Sequence, residues 1–238
     1  MKKSLLLIFF PQLLFLGCTP SSSEPLPGKT TFVFNFENNA EGWEVGYADY
    51  PVGLSITDSL KLYQFSYGHT LLPGPIIPKQ SGIKVSGHNR SDDLFMFIRK
   101  KITGLSPGTQ YQLYFEVEMA SNVPTNALGV GGAPGESVHL KAGASAKEPV
   151  VARDNQNYYR INLDKGNQSV GGADLINIGN IGVTDTTTAY TLIQRSNPTP
   201  FSQRTGAEGE LWIIIGTDSG FEGLTTLYYS AIKITLQK

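Results

Sequence analysis

Apolar and polar residues alternate along most of the chain from residue 30 onward. The clearest example is the run 110–119, whose odd-numbered residues from Tyr111 to Met119 are apolar. Strict alternation over this length predicts a half-buried strand. Runs of a similar kind predict nine further strands, over residues 31–36, 60–67, 94–102, 137–142, 158–164, 175–181, 188–194, 210–217 and 226–236.

Turn signals such as Ser106-Pro107-Gly108 and Gly171-Gly172 separate these runs, and no amphipathic helical pattern of ten or more residues interrupts them. Short strands joined by Gly- and Pro-rich turns are typical of an antiparallel sandwich or barrel. Because no interdomain linker is visible, residues 30–238 are predicted to form one domain. The predicted core comprises Phe32, Phe34, Phe36, Phe115, Val117, Ile161, Leu163, Trp212, Ile214, Ile232 and Ile234.

The start of the chain has the pattern of an export signal. Residues 1–3 carry two lysines, and the run 5–16 is apolar except for Pro11 and Gln12. A membrane-spanning helix needs about 20 apolar residues, so this run is too short to be one. A short positive segment followed by such a run indicates that the protein leaves the cytoplasm.

The signal ends in Gly17-Cys18, which resembles the cleavage site of bacterial lipoproteins. The resemblance implies that residues 1–17 are a removed signal peptide. Cys18 then carries several acyl chains, which anchor far more stably than one chain does. Residues 18–29 are predicted to be this cysteine and a proline-containing tether. Thr19 stands where inner-membrane lipoproteins often have Asp, which favours the outer membrane, at its periplasmic face or the cell surface. The alternative is a plain secretory signal with an incidental cysteine.

Charge and cysteine content narrow the classes of function. The formal net charge of the 238 residues is −1, whereas nucleic-acid binders normally carry a basic stripe. The single cysteine excludes an internal disulfide and a cysteine zinc cluster. The glycine-rich run 129–135 leads into a predicted strand, whereas a phosphate cradle needs a following helix, so no nucleotide is expected.

Three stretches carry a family resemblance: residues 34–37 with Gly42-Trp43 shortly after, the hairpin 102–111, and the closing strand 226–234. Together they resemble the jelly-roll carbohydrate-binding modules of the galactose-binding-like group. The resemblance implies an all-β fold, an antiparallel β-sandwich of jelly-roll type. The chain also resembles uncharacterised bacterial lipoproteins over residues 91–97 and 216–223, which brings no known activity with it.

The same resemblance implies a structural calcium ion that ties the first strand to the last. Glu37 matches one ligand position, but the second falls at Ser230, which has no charge. Asp218 and Glu222, before the last strand, are the candidate replacements, because calcium takes six to eight oxygen ligands.

Sugar binding needs aromatic platforms flanked by groups that hydrogen-bond hydroxyls. If the strand 110–119 pairs with the strand that follows it, side chains converge on one sheet face; Arg160 could join from a further strand. The alternative is an ordinary solvated face with cross-strand Glu–Lys pairs. The convergent set comprises Tyr114, Glu116, Glu118, His139 and Lys141. A second candidate is an aromatic loop region of Trp43, Tyr47, Tyr50 and Tyr67, in which Trp43 either closes one end of the sandwich or stacks on a ligand.

These features favour a lipid-anchored, extracytoplasmic protein that binds a glycan without catalysis. A structural or assembly lipoprotein that binds a protein partner at the cell surface is the competing hypothesis. A glycoside hydrolase is a further alternative, since Glu116 and Glu118 lie about 7 Å apart on one strand face. The sequence contains no G-x-S-x-G nucleophile motif.

Overall fold

The computed structural model describes residues 28–53, 55–184 and 188–238. The predicted signal peptide, Cys18 and most of the predicted tether lie outside these residues. Within them, no helix has the length and apolar character needed to cross a bilayer. The strands are β1 (Lys29–Phe34), β2 (Glu44–Ala48), β3 (Tyr50–Pro51), β4 (Ser66–Leu71), β5 (Ser81–His88), β6 (Leu94–Ile102), β7 (Gln110–Ser121), β8 (Val138–Ser145), β9 (Val151–Arg153), β10 (Tyr158–Ile161), β11 (Leu175–Asn180), β12 (Thr191–Ser196), β13 (Phe201–Arg204), β14 (Leu211–Ser219) and β15 (Leu224–Gln237).

Two antiparallel sheets form the β-sandwich of jelly-roll type that the sequence predicts. The seven-stranded sheet has the order β12-β7-β15-β5-β4, with β1 also paired to β15 and β13 to β7. The five-stranded sheet has the order β11-β8-β14-β6-β2. Consecutive strands often lie in different sheets, so the neighbours of a strand cannot be inferred from its position in the chain.

The alternation in β7 is realised as burial between the sheets. Leu113, Phe115 and Val117 are fully buried, and they share one apolar core with Ile213 and Ile215 of the facing sheet. Burying a side chain of this size contributes about 1.5–3 kcal/mol relative to leaving it exposed. The core between the two sheets is therefore the main source of the fold's stability.

Nine of the ten predicted strands coincide with observed strands, and the strand predicted at 60–67 is wrong. The chain instead forms α1 (Ile56–Tyr63) before β4. Ser55 caps this helix, because its hydroxyl oxygen accepts a hydrogen bond from the backbone N–H of Asp58 at 3.1 Å. A polar cap of this kind stabilises a helix start by about 1 kcal/mol. Eight residues are too few to show a clear helical period.

A third layer covers the outer face of the five-stranded sheet. The small sheet β3-β10-β9 lies there, and it forms a second apolar cluster with the larger sheet. Ile161 and Leu163 of the covering layer pack with Phe95, Phe97 and Ile214 of the larger sheet. The centre of this sheet face is therefore closed, and any ligand on this side has to bind at its border.

Candidate functional site

An open groove of about 630 Å³ lies at the border of the covering layer, beside β2 and β6. We call it the edge groove. Four aromatic residues, Tyr47, Tyr50, Phe97 and Tyr159, contribute to its lining. Its charged lining residues are Arg99 and Glu148. A mainly apolar concave surface with a few polar groups is the usual form of a small-ligand site.

Two tyrosines from paired strands form the aromatic side of the edge groove. Tyr50 of β3 lies opposite Tyr159 of β10 in register, and their ring centroids are 5.0 Å apart. Tyr63 and Phe65 support Tyr50 from behind, at centroid distances of 5.4 and 5.2 Å. Burial, with the neighbouring Tyr159 and Tyr63, raises the pKa of the Tyr50 hydroxyl. This phenol therefore stays neutral and can donate a hydrogen bond at physiological pH.

Arg99 fixes the charged side of the groove. Its Nη2 lies 2.8 Å and its Nε 3.0 Å from Glu44 Oε2, and Nη1 donates to the Pro149 carbonyl. The Glu148 carboxylate lies 3.5 Å from the same Nη1. Arg99 thus connects β2 to the segment that forms the opposite wall of the groove.

The floor of the groove depends on one glycine. A Cβ atom at Gly46 would lie 2.2 Å from Phe97 Cζ, which no real contact allows. The missing side chain therefore lets the Phe97 ring lie across β2, where it stacks on Phe95 at 5.2 Å.

The predicted convergence of five side chains on one sheet face is wrong. Tyr114, Glu116 and Glu118 lie on β7, whose partners are β12, β13 and β15. His139 and Lys141 lie on β8, in the other sheet. The β7 face matches the alternative of cross-strand ion pairs. There Glu116 lies 2.7 Å from Lys233, and Glu118 accepts a hydrogen bond from Ser230 at 2.7 Å.

The predicted aromatic loop region is divided between two places. Tyr47 and Tyr50 line the edge groove, and Tyr47 also donates a hydrogen bond from its hydroxyl to the Ser66 and Ser86 carbonyls. Trp43 is 5% exposed and packs edge to face against two phenylalanine rings. This agrees with the interpretation that it closes one end of the sandwich rather than stacking on a ligand. It lines a separate pocket of about 410 Å³, together with Tyr67.

Lys141 and Arg160 belong to a buried ionic cluster rather than to a solvated sheet face. The members of this ionic cluster are Asp49, Asp93, Asp218, Lys141, Lys165 and Arg160. Lys141 is fully buried, because the segment after β10 covers it; its Nζ donates to the Lys165 and Val170 carbonyls, both at 2.7 Å. Arg160 lies 2.7 Å from Asp49, in the covering layer.

The ammonium group of Lys165 lies at the centre of this cluster. Its Nζ is 2.8 Å from both Asp218 oxygens and 3.0 Å from Asp49 Oδ2. Asp93 Oδ1 is 3.7 Å away. Burial opposes the charge, but the three carboxylates outweigh it and raise the pKa of Lys165. The cluster therefore has a resident cation supplied by the chain.

The residues predicted for calcium do not fit such an ion. Asp218 is completely buried and its carboxylate is taken up by lysine side chains. Glu37 follows β1 of the seven-stranded sheet and Glu222 follows β14, both exposed. Among the residues described, no hydrogen bond or ion pair joins either glutamate to Asp218. The acidic oxygens that do meet, within 4.8 Å, are those of Asp49, Asp93 and Asp218, with Lys165 already among them.

No protein-family model matches the sequence, and no curated protein matches it. Solved structures with a similar fold include a carbohydrate-binding module described for mannan recognition (10% identity, TM-score 0.39, 88% of this chain and 99% of that chain). A putative sugar-binding protein from Bacteroides thetaiotaomicron is similar at 10% identity and TM-score 0.39, over 86% of this chain and 91% of that chain. The enzymatically active domain of a tailspike protein from bacteriophage CBA120 is similar at 13% identity and TM-score 0.36. The match covers 84% of this chain but only 20% of the tailspike chain.

Proposed function

We propose that this protein binds a glycan in the edge groove and does not transform it. The observation that carries the proposal is that the paired rings of Tyr50 and Tyr159 line the same groove as Arg99 and Glu148. Sugar rings present apolar C–H faces that pack on aromatic rings. Their hydroxyl groups are donors, which a carboxylate accepts. The edge groove offers both kinds of contact across one open space.

Replacing Tyr159 by alanine tests this site. The variant loses one side of the aromatic wall, so its affinity for a retained polysaccharide is expected to fall at least about tenfold. Affinity electrophoresis with the residues from Thr19 onward gives the measurement. Tyr114→Ala is the matched control, because Tyr114 is a similarly half-buried tyrosine on the seven-stranded sheet, away from the groove. Equal losses in both variants, or a loss in Tyr114→Ala alone, would contradict the assignment.

We also propose that the protein acts as a lipoprotein, held at the outer membrane through Cys18. The support is the sequence pattern of residues 1–18. Cys18→Ser removes the thiol that would carry the lipid. The variant is expected to appear in the soluble fraction after cell lysis, without labelled palmitate, whereas the unaltered protein stays with the membranes. Equal labelling and equal membrane retention of the two proteins would overturn this proposal.

A further inference from the structure

Each nitrogen of the cation that lines the edge groove already has an acceptor. Arg99 uses Nε and Nη2 on Glu44 and Nη1 on the Pro149 carbonyl. Its side chain is only 22% exposed. A sugar carboxylate or sulfate is best recognised by the two parallel N–H groups of a guanidinium. At Arg99 such a ligand would meet the Glu44 and Glu148 carboxylates, which repel it.

The charged group that remains available among the lining residues, Glu148, is an acceptor. The side chains of Glu44 and Glu148 are 60% and 54% exposed, although both lie near Arg99. Arg99 is held by Glu44, which is not a lining residue, so the Glu148 carboxylate is the charge that the groove itself presents beside this ion pair. Ionised carboxylates accept hydrogen bonds and donate none, so they suit hydroxyl groups and repel anions.

Nearby cations are directed away from the groove or are not among its lining residues. Lys100 Nζ donates to the Glu41 carbonyl and lies over the Phe34 ring at 5.4 Å. Lys101 lies over the Trp212 ring at 6.0 Å, and Trp212 does not line the groove. Among the described lining residues, Arg99 is the one cation.

We infer that the edge groove selects neutral glycans, rich in hydroxyl groups, over uronate-containing or sulfated ones. This inference rests on the proposed function, because it concerns the ligand of the same site. Tyr50 and Tyr159 contact the apolar face of the sugar, and Glu148 accepts from its hydroxyl groups. The Glu148 carboxylate, beside an arginine that is already paired with Glu44, repels anionic rings.

Affinity electrophoresis with two sets of polysaccharides tests the preference. The neutral probes are galactomannan, xyloglucan and hydroxyethylcellulose, and the anionic probes are alginate, polygalacturonate and chondroitin sulfate. At least one neutral probe is expected to retard the protein, with an affinity at least about tenfold above that of any anionic probe. Glu148→Lys is expected to reduce this ratio several-fold. Glu136→Lys makes the same change in net charge at an exposed turn and is expected to leave the ratio unchanged.

The outcomes separate the preference from the proposed function. Retardation by an anionic probe that is lost in Tyr159→Ala would confirm binding at the groove and overturn the neutral preference. An unchanged ratio in Glu148→Lys would also overturn it. Failure of every probe to retard the protein would contradict the proposed function itself.

Discussion

Asp218→Asn is expected to lower the free energy of unfolding by about 3–5 kcal/mol, the usual effect of removing one partner from a buried ion pair. Asp218 lies between two lysines: its Oδ2 is 2.8 Å from Lys165 Nζ and 3.2 Å from Lys141 Nζ. It also accepts from the backbone N–H of Gln168 at 2.8 Å. The amide has the same shape but no charge, so two buried ammonium groups lose their main counterion.

Urea-induced unfolding gives the measurement, and Glu116→Gln is the matched control. Glu116 also pairs with a lysine, at 2.7 Å from Lys233 Nζ, but the two side chains are 38% and 47% exposed. Pairs in solvent contribute about 0–1 kcal/mol. A loss for Asp218→Asn no larger than the loss for Glu116→Gln would show that water reaches the ionic cluster and screens it.

Nine of the fifteen strands could be predicted from the sequence, because the alternation of apolar and polar residues in a strand reflects which of its side chains are buried. In β7 every second residue from Tyr111 to Met119 is buried, and that rhythm is local. Among the six strands that the pattern does not predict, β5 shows no regular alternation of burial, because both faces of Ser81–His88 are largely buried and it contains two glycines. The helix α1 is not evident from the sequence, because its eight residues contain too few turns to display a period of 3.6.

Tyr47 and Tyr50 of the edge groove are candidates from the sequence, but the groove as a whole could not be predicted, because its residues meet only through the topology. Tyr50, Arg99 and Tyr159 come from three different strands, and Glu148 comes from the segment between β8 and β9. No spacing in the chain relates these positions. For Tyr159, the local signal is the adjacent Tyr158-Tyr159 pair in a short strand ahead of Arg160.

For the ionic cluster, too, the sequence predicts the face on which a residue lies but not the segment that covers it. The alternation in β8 correctly places Lys141 on the face of the sheet away from the main core. It cannot reveal that residues 162–174 cover that face. A lysine on an outer sheet face is normally solvated, whereas Lys141 is held by two backbone carbonyls and by Asp218.

The second large effect is a pH dependence centred on Asp93, whose side chain is 27% exposed. Burial raises its pKa to about 7; Lys165 opposes the shift, and the carboxylates of Asp218 and Asp49 add to it. Arg160 Nη1 lies 3.6 Å from its Oδ2. The folded state therefore binds a proton that the unfolded chain, with an ordinary pKa near 3.8, has already lost. The contribution of Asp93 to the free energy of unfolding is fully present below pH 4 and is lost as the pH rises towards 7.

Asp93→Asn mimics the protonated carboxyl at every pH. The difference in the free energy of unfolding between this variant and the unaltered protein therefore reports the protonation of Asp93 alone. The two proteins are expected to differ little at pH 4. The variant should become the more stable by about 2 kcal/mol between pH 5 and pH 7, since each pH unit in this window contributes about 1.4 kcal/mol at most. Comparing the pair cancels the contributions of His88 and His139, whose pKa values are lowered, first of all by burial.

Asp92→Asn is the control for this comparison. Asp92 is exposed and has a positive φ of 67°, a conformation that asparagine also adopts readily. Its stability difference from the unaltered protein is expected to be flat across the same range, as measured by urea-induced unfolding at each pH. A flat difference for Asp93→Asn as well would mean that Asp93 is ionised throughout. The carboxylates of Asp49, Asp93 and Asp218 would then face Lys141, Lys165 and Arg160 without a bound proton.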